Sequence, residues 1–227
     1  MKDQLIDTYG RVHRDLRISV TDRCNFRCQY CMPEEGMDWT PREELLTFEE
    51  IERLASLLVN KFGIESIRLT GGEPTVRANL SKLIEKLAKL DVDLSLTTNG
   101  ATLPLIAGDL YNAGLDRINI SLDTLDRKRF ETLTRRDNLK QVLHGIETAK
   151  SVGFDPVKIN MVVMKGVNDD EVLDFVSYGR ENGLVVRFIE FMPLDADETW
   201  EKSKVMPQNE ILELISSKYD LEPLSRG

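Results

Sequence analysis

The sequence has little histidine, no long apolar run and no excess of positive charge, and each shortage excludes a class of protein. Its 227 residues include two histidines and three cysteines. No apolar run approaches the ~20 residues that a membrane-spanning helix needs, and the first five residues lack a signal-peptide pattern. The formal net charge of −9 argues against a generally basic nucleic-acid-binding surface. We therefore expect a cytoplasmic protein with no membrane or nucleic-acid partner.

Length and composition indicate one main domain. A chain of this size can bury one sizeable core. It contains no Ser/Gly-rich linker, no low-complexity tract and no exact repeat. We expect a loose N-terminal arm over residues 1–14 and a single domain over residues 15–227.

The three cysteines lie within eight residues. Cys24, Cys28 and Cys31 have the spacing Cys-x3-Cys-x2-Cys. A structural zinc site or an ordinary ferredoxin-type cluster takes four protein ligands. Three thiolates without a fourth therefore indicate a metal centre with one position open to another molecule. An open position is typical of a catalytic metal site.

Other interpretations of the cysteines are weaker. Three unrelated buried thiols are conceivable, since free cysteine is often buried, but the crowding argues against it. A Cys3His zinc site would need His13 or His144, and neither has zinc-finger spacing. Three closely spaced cysteines also resemble no secreted disulfide scaffold.

Short strands alternate with helices along the chain. Strand patterns cover residues 16–20, 66–70, 93–97, 117–122, 157–163 and 185–191. Repeated strand–helix units produce parallel strands with right-handed crossovers, and therefore an open doubly wound sheet or a full or partial barrel. Helical patterns follow a capping box at Thr47 to Glu50 and end at glycines such as Gly63. The predicted apolar face of this first helix is Ile51, Leu54, Leu58 and Phe62, and Pro207 is predicted in the first turn of the last helix.

Alternation within the strands decides between these architectures. Parallel strands covered on both faces normally read as continuous apolar runs, yet here one face of most strands is polar. This face carries Arg17, Ser19, Thr21, Arg68, Thr70, Ser95, Thr97, Arg117, Asn119, Ser121, Lys158 and Asn160. We predict an α/β fold, a partial TIM barrel of about six parallel (β/α) units with a polar lumen. The last strand fits less well, because Arg187 lies opposite the face that Glu190 shares with apolar residues.

Cations on the lumen face indicate an anion site. Arg17, Arg68 and Lys158 have few acidic residues on the same face, and an unpaired charge in such a place is costly. Alternatively, Arg68 or Lys158 pairs with Glu190 and only braces the barrel.

A glycine turn follows the second predicted strand. In Thr70-Gly71-Gly72-Glu73-Pro74 the glycines allow close approach of the backbone to a ligand, and Glu73 can accept hydrogen bonds from an ammonium group. The motif is weak by itself, but it becomes specific after a three-cysteine loop.

Together these motifs resemble the radical S-adenosylmethionine superfamily. The flanking segments, 15–33, 67–74, 96–100, 118–123 and 187–192, closely resemble the molybdenum cofactor biosynthesis protein A family, the GTP 3′,8-cyclases. The resemblance extends from about Asp7 to the end of the sequence and includes every predicted strand.

The resemblance implies one 4Fe-4S cluster on Cys24, Cys28 and Cys31, with S-adenosylmethionine bound to its fourth iron. It places Gly72 and Glu73 at the methionine end of this cofactor, Tyr30 and Met192 by the adenine, and Ser121 against the rest. No catalytic residue beyond the cluster is implied. A reductase or other electron donor supplies one electron, which cleaves the cofactor to methionine and a 5′-deoxyadenosyl radical.

The resemblance also implies GTP as substrate, bound by Arg17, Arg68, Thr97 and Lys158. All four lie on the lumen face that strand alternation predicts independently. In the implied reaction, the radical removes hydrogen from C3′ of the ribose and the carbon radical attacks C8 of guanine. A homodimer is possible.

One departure from the family concerns the end of the sequence. Family members continue with a second three-cysteine cluster site, an arginine-rich stretch and a Gly-Gly tail, none of which occurs here. We therefore expect this chain to bind the first cluster and S-adenosylmethionine but to hold and cyclise GTP poorly. The alternatives are another radical enzyme with a different anionic substrate, and a non-catalytic remnant that binds the cluster and cofactor.

Overall fold

The computed structural model describes residues 3–33, 35–193 and 200–224. Its strands are β1 (Leu5–Ile6), β2 (Val12–His13), β3 (Asp15–Ser19), β4 (Ser66–Thr70), β5 (Asp93–Thr98), β6 (Arg117–Ser121), β7 (Lys158–Val163) and β8 (Val185–Glu190). Its helices are α1 (Phe48–Phe62), α2 (Leu80–Ala88), α3 (Leu103–Asn112), α4 (Arg127–Thr134), α5 (Leu139–Val152), α6 (Val172–Asn182) and α7 (Gln208–Ser216).

Six parallel strands form the main sheet in sequence order, from β3 through β8. Each strand pairs with the next one along the chain. Within the described residues β3 and β8 do not pair with each other, so the barrel is partial. All six predicted strands are confirmed, with their ends shifted by at most one residue.

The apolar face of the sheet packs against the helices, as strand alternation predicts. Ile67, Leu69, Leu94, Leu96, Ile118, Ile120, Ile159, Met161 and Val163 are completely buried in one continuous core. The opposite, polar face lines the concave side of the sheet. Side chains of successive residues alternate between the two faces, and this alternation separates packing from chemistry on each strand.

Helix α1 begins and ends as predicted but packs through a different face. Thr47 and Glu50 form the reciprocal capping box, and Gly63 adopts a left-handed conformation after the last turn. The residues of α1 that are fully buried are Ile51, Ala55 and Val59, whereas Leu54 is 44% exposed. The predicted face was wrong at Leu54, because the buried stripe runs through Ile51, Ala55 and Val59, which are four residues apart, and Leu54 lies to one side of it.

Several elements have no counterpart in the sequence prediction. The N-terminal arm contains the antiparallel hairpin of β1 and β2, two strands that the sequence prediction lacked. Helices α3 and α4 also lack a predicted apolar stripe, and α4 buries only Phe130, Leu133 and Thr134. Pro207 precedes the first turn of α7 instead of lying within it.

None of the helices in the described parts of the chain combines the length and the apolar composition that a membrane crossing requires.

Two helical glycines provide a test of this packing. A Cβ added at Gly145 in α5 would lie 2.3 Å from the carbonyl oxygen of Gly100, whereas one added at Gly108 in α3 would meet nothing within 4 Å. We expect Gly108→Ala to raise the free energy of unfolding by about 0.5–1 kcal/mol, because alanine is the better helix former. We expect Gly145→Ala to lower it by about 1–3 kcal/mol through overpacking.

Chemical denaturation of both variants measures the difference. Both substitutions change helix propensity in the same way. The difference between their free energies of unfolding therefore reports the contact of residue 145 with Gly100. Equal stabilisation by both would contradict the close approach of α5 to the loop after β5.

Candidate functional site

The cysteine loop follows β3 at the carboxyl edge of the sheet. Cys24, Cys28 and Cys31 are free thiols; the first two are partly buried and Cys31 is exposed. The backbone N–H groups of Cys31 and Met32 both donate to the Cys28 carbonyl, at 3.0 and 2.9 Å. This turn brings the second and third cysteines to the same part of the loop.

The environment of the thiols opposes their ionisation in the absence of a metal. Burial raises the pKa of all three, and most strongly that of Cys28. Asp123 and then the Cys31 and Cys24 thiols add to the rise in the pKa of Cys28, because nearby negative charges repel one another. A bound metal centre reverses this effect, since it stabilises thiolates directly.

These donors fit an iron–sulfur cluster better than a single ion. Among residues 3–33, 35–193 and 200–224, no three Cys, His, Asp or Glu side chains gather closely enough to hold one metal ion. In a cluster each cysteine binds a different iron, so its ligands are spread more widely. Cys24, Cys28 and Cys31 are three free thiols on one short loop, and three thiolate donors suit a cluster that leaves one iron open.

The glycine turn after β4 packs against the backbone that leads into the cysteine loop. A Cβ at Gly71 would lie 2.4 Å from the Thr21 carbonyl oxygen, and one at Gly72 would lie 2.2 Å from that of Asp22. Gly72 N donates to Thr21 O at 2.7 Å, and Glu73 N donates to Arg23 O at 2.8 Å. The two glycines therefore allow the backbone of this turn to pack against the backbone before the cysteine loop, whether or not a ligand is bound.

The Glu73 carboxylate joins the glycine turn to the end of β5. Its Oε1 accepts hydrogen bonds from Thr75 N, Thr75 Oγ1 and Thr98 Oγ1 at 3.0, 2.6 and 2.6 Å. Its Oε2 accepts one from Asn99 N at 2.6 Å. Burial raises the pKa of Glu73, while these bonds oppose the rise. Most of its accepting capacity is used within the protein, and sequence reasoning did not anticipate this.

A second set of contacts holds the far side of the cysteine loop to the end of α4. Arg27 N donates to Thr134 O at 3.0 Å, and Gln29 N donates to Leu133 O at 2.9 Å. Arg135, which follows in a left-handed conformation with φ 54°, donates from Nη1 to the carbonyls of Arg27 and Met32 at 3.1 Å. We call Leu133, Thr134 and Arg135 the loop strap. No sequence motif pointed to it.

Tyr30 is fixed by a buried acid that sequence reasoning missed. The Tyr30 hydroxyl donates to Asp123 Oδ2, and Asp123 Oδ1 accepts from Val162 N at 2.8 Å. Burial raises the pKa of Asp123 to about 6 and raises that of Tyr30 as well. The available signal was an acidic residue directly after the apolar end of a strand.

Cations of four strands line the concave face below these loops. Arg17 of β3 pairs in register with Arg68 of β4, and Lys158 of β7 lies beside Asn119 of β6. Arg187 of β8 also belongs to this face: it pairs with Asn160 and donates to Asn119 Oδ1 at 2.7 Å. The alternation of residues along β8 already predicted that Arg187 faces the lumen, but the mixed polar and apolar pattern of this strand made the prediction less clear.

These four lumen cations, Arg17, Arg68, Lys158 and Arg187, have no carboxylate within ion-pair distance among the described residues. Buried Arg68 Nε and Asn160 Oδ1 also make no hydrogen bond within those residues. Burial and then the positive charges of Arg187, Arg117 and Arg68 lower the pKa of Lys158. Arg117 itself forms an ion pair with Asp93. An anionic ligand would compensate the remaining charges.

The alternative in which Glu190 braces the barrel is wrong. Glu190 Oε1 accepts the N–H of Gln208 at the start of α7, at 2.6 Å, and Glu190 is exposed. It pairs with neither Arg68 nor Lys158, because it lies on the opposite face of β8 from Arg187.

The remaining predicted site residues lie at or near the same edge. Ser121 ends β6 and pairs with Asn160. Thr97 on β5 lies beside Asn119. Met192 follows β8 and is 49% exposed. The structure thus brings the predicted cofactor and substrate residues to one carboxyl edge and one concave face.

Comparison with known proteins connects this site to a family. Residues 18–179 match the model of the Radical SAM superfamily. A GTP 3′,8-cyclase of Streptomyces coelicolor is 49% identical over 219 residues, which cover 96% of this chain and 64% of the relative. One of Geobacter sulfurreducens is 47% identical over 226 residues, covering 99% of this chain and 69% of the relative. A mitochondrial one of Arabidopsis thaliana is 48% identical over 221 residues, with 96% and 56% covered.

Solved structures agree with the fold. Streptococcus suis SuiB bound to the precursor peptide SuiA has a TM-score of 0.68 at 20% identity, covering 90% of this chain and 45% of that one. Methylornithine synthase (PylB) has a TM-score of 0.68 at 17% identity, covering 90% and 62%. At these identities the likeness confirms the partial barrel alone. The chain spans 64, 63 and 56% of the length of three curated relatives it matches.

The loop strap generates a prediction for Arg135. We expect Arg135→Gln to weaken the hold on the cysteine loop, because glutamine cannot reach both carbonyls that the guanidinium bridges. Losing these bonds corresponds to about 1–3 kcal/mol, or roughly tenfold or faster local opening. Hydrogen–deuterium exchange of residues 24–32 measures this, and iron bound per chain after reconstitution gives a second readout.

Arg127→Gln, at the opposite end of α4 from Arg135, is the matched control. Arg127 forms an exposed ion pair with Asp137 and does not contact the loop. Its substitution should leave both readouts unchanged. Equal exchange of residues 24–32 in the Arg135 variant and the wild type would rule out the strap.

Proposed function

The chain belongs to the radical SAM superfamily and, within it, to the family of GTP 3′,8-cyclases, and we propose that it supplies the part of such an enzyme that binds the cluster, S-adenosylmethionine and the triphosphate. The proposed reaction of the whole protein converts GTP to (8S)-3′,8-cyclo-7,8-dihydroguanosine 5′-triphosphate. One observation carries the substrate assignment: four lumen cations without carboxylate partners lie below a loop of three free thiols.

In this proposal Cys24, Cys28 and Cys31 hold a 4Fe-4S cluster. When bound, the cluster and S-adenosylmethionine supply a 5′-deoxyadenosyl radical through one-electron cleavage of the cofactor. The chain itself provides binding, orientation and shielding. Its contribution to orientation has two parts: the glycine turn fixes the start of the loop, and the loop strap fixes the middle.

The cofactor contacts are proposed at the carboxyl edge. Gly72 and Glu73 lie by the methionine end, with the Glu73 carboxylate acting mainly to fix the turn, because it already accepts four hydrogen bonds. Tyr30 and Met192 lie by the adenine. Ser121 contacts the rest of the cofactor. The bond from Tyr30 to Asp123 orients the phenol ring.

The triphosphate is proposed to lie against Arg17, Arg68, Thr97 and Lys158, and we add Arg187 to this set. Arginine forks and a lysine ammonium are the usual partners of phosphate oxygens. Burial and then repulsion by neighbouring cations lower the pKa of Lys158 and of Arg187, and a bound polyanion would offset that repulsion. The cations would therefore bind phosphate while relieving their own strain.

The predicted partners and location extend the same proposal. The reaction requires an electron, so a reductase or other donor must reach the cysteine loop, whose third cysteine is exposed. The homodimer and the cytoplasmic location stay predictions. Sedimentation analysis and cell fractionation test them.

Electron paramagnetic resonance tests the function. We expect the anaerobically reconstituted, dithionite-reduced chain to show a 4Fe-4S signal that changes on addition of S-adenosylmethionine and is lost in Cys28→Ser. We also expect GTP to increase the formation of 5′-deoxyadenosine, and inorganic tripolyphosphate not to. A signal indifferent to S-adenosylmethionine would overturn the cofactor assignment. Because this chain is expected to hold GTP weakly, 5′-deoxyadenosine formation is measured at GTP concentrations that saturate the chain in equilibrium dialysis, and no effect of GTP there would overturn the substrate assignment.

Binding measurements test the lumen assignment directly. We expect Lys158→Gln and Arg187→Gln each to weaken GTP binding by roughly 10- to 100-fold, because a hydrogen bond between charged groups contributes about 1.5–3 kcal/mol. Equilibrium dialysis against GTP at fixed ionic strength provides the dissociation constants.

Arg14→Gln is the control for net charge. Arg14 lies on the surface beside Glu65 and outside the lumen. Because salt and water screen surface charges, the loss of Arg14 should change the GTP dissociation constant by less than about twofold. If Arg187→Gln binds GTP as tightly as this control, Arg187 does not belong to the site.

A further inference from the structure

A second cationic cavity lies outside the lumen. It has a volume of about 530 Å³ and is bounded by residues 42–48, which lead into α1, and residues 76–82, which lead into α2. Ligand pockets usually measure about 300–1,000 Å³, so this space suits a molecule of nucleotide size. We call it the basic cleft.

Four cations and no carboxylate contribute to the wall of the basic cleft. They are Arg23, Arg42, Arg77 and Lys82, in a chain whose net charge is −9. None has a carboxylate within ion-pair distance among the described residues. Such a concentration of one sign costs free energy through repulsion unless a ligand compensates it.

Several acidic residues lie near the basic cleft in sequence but do not line it; Glu43 and Glu44, next to Arg42, are exposed. Glu50 caps α1 through Thr47, and Glu49 lies 3.5 Å from Lys86. Asp22, next to Arg23 in sequence, accepts the N–H of Thr40 through Oδ2 at 2.6 Å, whereas its buried Oδ1 accepts no hydrogen bond within the described residues. That bond is the first cause of its lowered pKa, and Arg23 is a smaller one.

Arg77 gives the cleft a fixed positive charge. Its guanidinium donates to the carbonyls of Val20 and Leu46 and lies 4.5 Å from the ring centre of Phe48. Burial and then repulsion by Arg42 lower its pKa. The structure therefore holds Arg77 in place despite an unfavourable neighbour, whereas Arg23, Arg42 and Lys82 remain exposed and able to reach a ligand.

We propose that the basic cleft binds a phosphorylated small molecule at a site separate from the lumen. Several cations on one wall favour a multiply charged anion, and phosphates carry more charge per volume than carboxylates. Arginine also matches phosphate oxygens through paired N–H donors. The apolar side chains of Leu45, Phe48 and Val76 on the same wall provide a surface for an organic group such as a nucleoside. This site does not depend on the reaction proposed for the lumen.

The test uses the full chain with the lumen weakened by the double substitution Lys158→Gln/Arg187→Gln. Inorganic pyrophosphate is the probe, and isothermal titration calorimetry gives the number of sites and the affinity. We expect one remaining site, and we expect addition of Arg42→Gln/Lys82→Gln to weaken it at least tenfold. Both added positions are exposed, so unfolding free energies should confirm that the fold is retained.

Each outcome decides the matter. No pyrophosphate binding in the lumen variant would overturn the proposal, and so would binding that survives Arg42→Gln/Lys82→Gln. If the site is present, comparison with ADP separates the two sources of phosphate. Tighter binding of ADP would assign the cleft to nucleotides, and equal binding would assign it to phosphate groups alone.

Discussion

The position of the cysteine loop depends on a backbone contact that only glycine permits. Gly71 and Gly72 lie so close to the carbonyls of Thr21 and Asp22 that any side chain would force the two turns apart. Hydrogen bonds from Gly72 N and Glu73 N complete the contact. Because Glu73 then reaches Thr98 and Asn99, the turns after β3, β4 and β5 form one unit. Ligands bound at this edge would meet a surface fixed by three strands.

The concave face of the sheet holds positive charges that the protein does not neutralise and that an anionic ligand would neutralise. The charge of Arg117 is compensated within the protein, because Asp93 forms an ion pair with it at the amino end of the strands. Farther along the strands, Arg68 Nε and Asn160 Oδ1 are buried without partners, and Lys158 has its charged form disfavoured. The open edge at β3 limits this cost, because Arg17 remains exposed to water. A barrel closed on all sides would make the same set of cations much more expensive.

Strand alternation predicted most of this fold, and its failures have physical causes. A period of two residues is unambiguous when one face is apolar and the other polar, so all six strands of the main sheet were found. Arg187 was left out because β8 is partly exposed along its whole length, which weakens the contrast between its faces. Asp123 and the loop strap act through contacts between segments distant in sequence. No periodicity within a single element can report such contacts.

Helix α4 explains why a weak sequence pattern can still specify an essential element. Its last carbonyls, like those of any helix, lack partners within the helix, and those of Leu133 and Thr134 receive the N–H groups of Gln29 and Arg27. The cysteine loop therefore caps the helix, while the helix holds the loop. With only three residues buried, α4 gains little from the core alone. Because each segment satisfies the other's polar groups, order in α4 and order in the cysteine loop must rise and fall together.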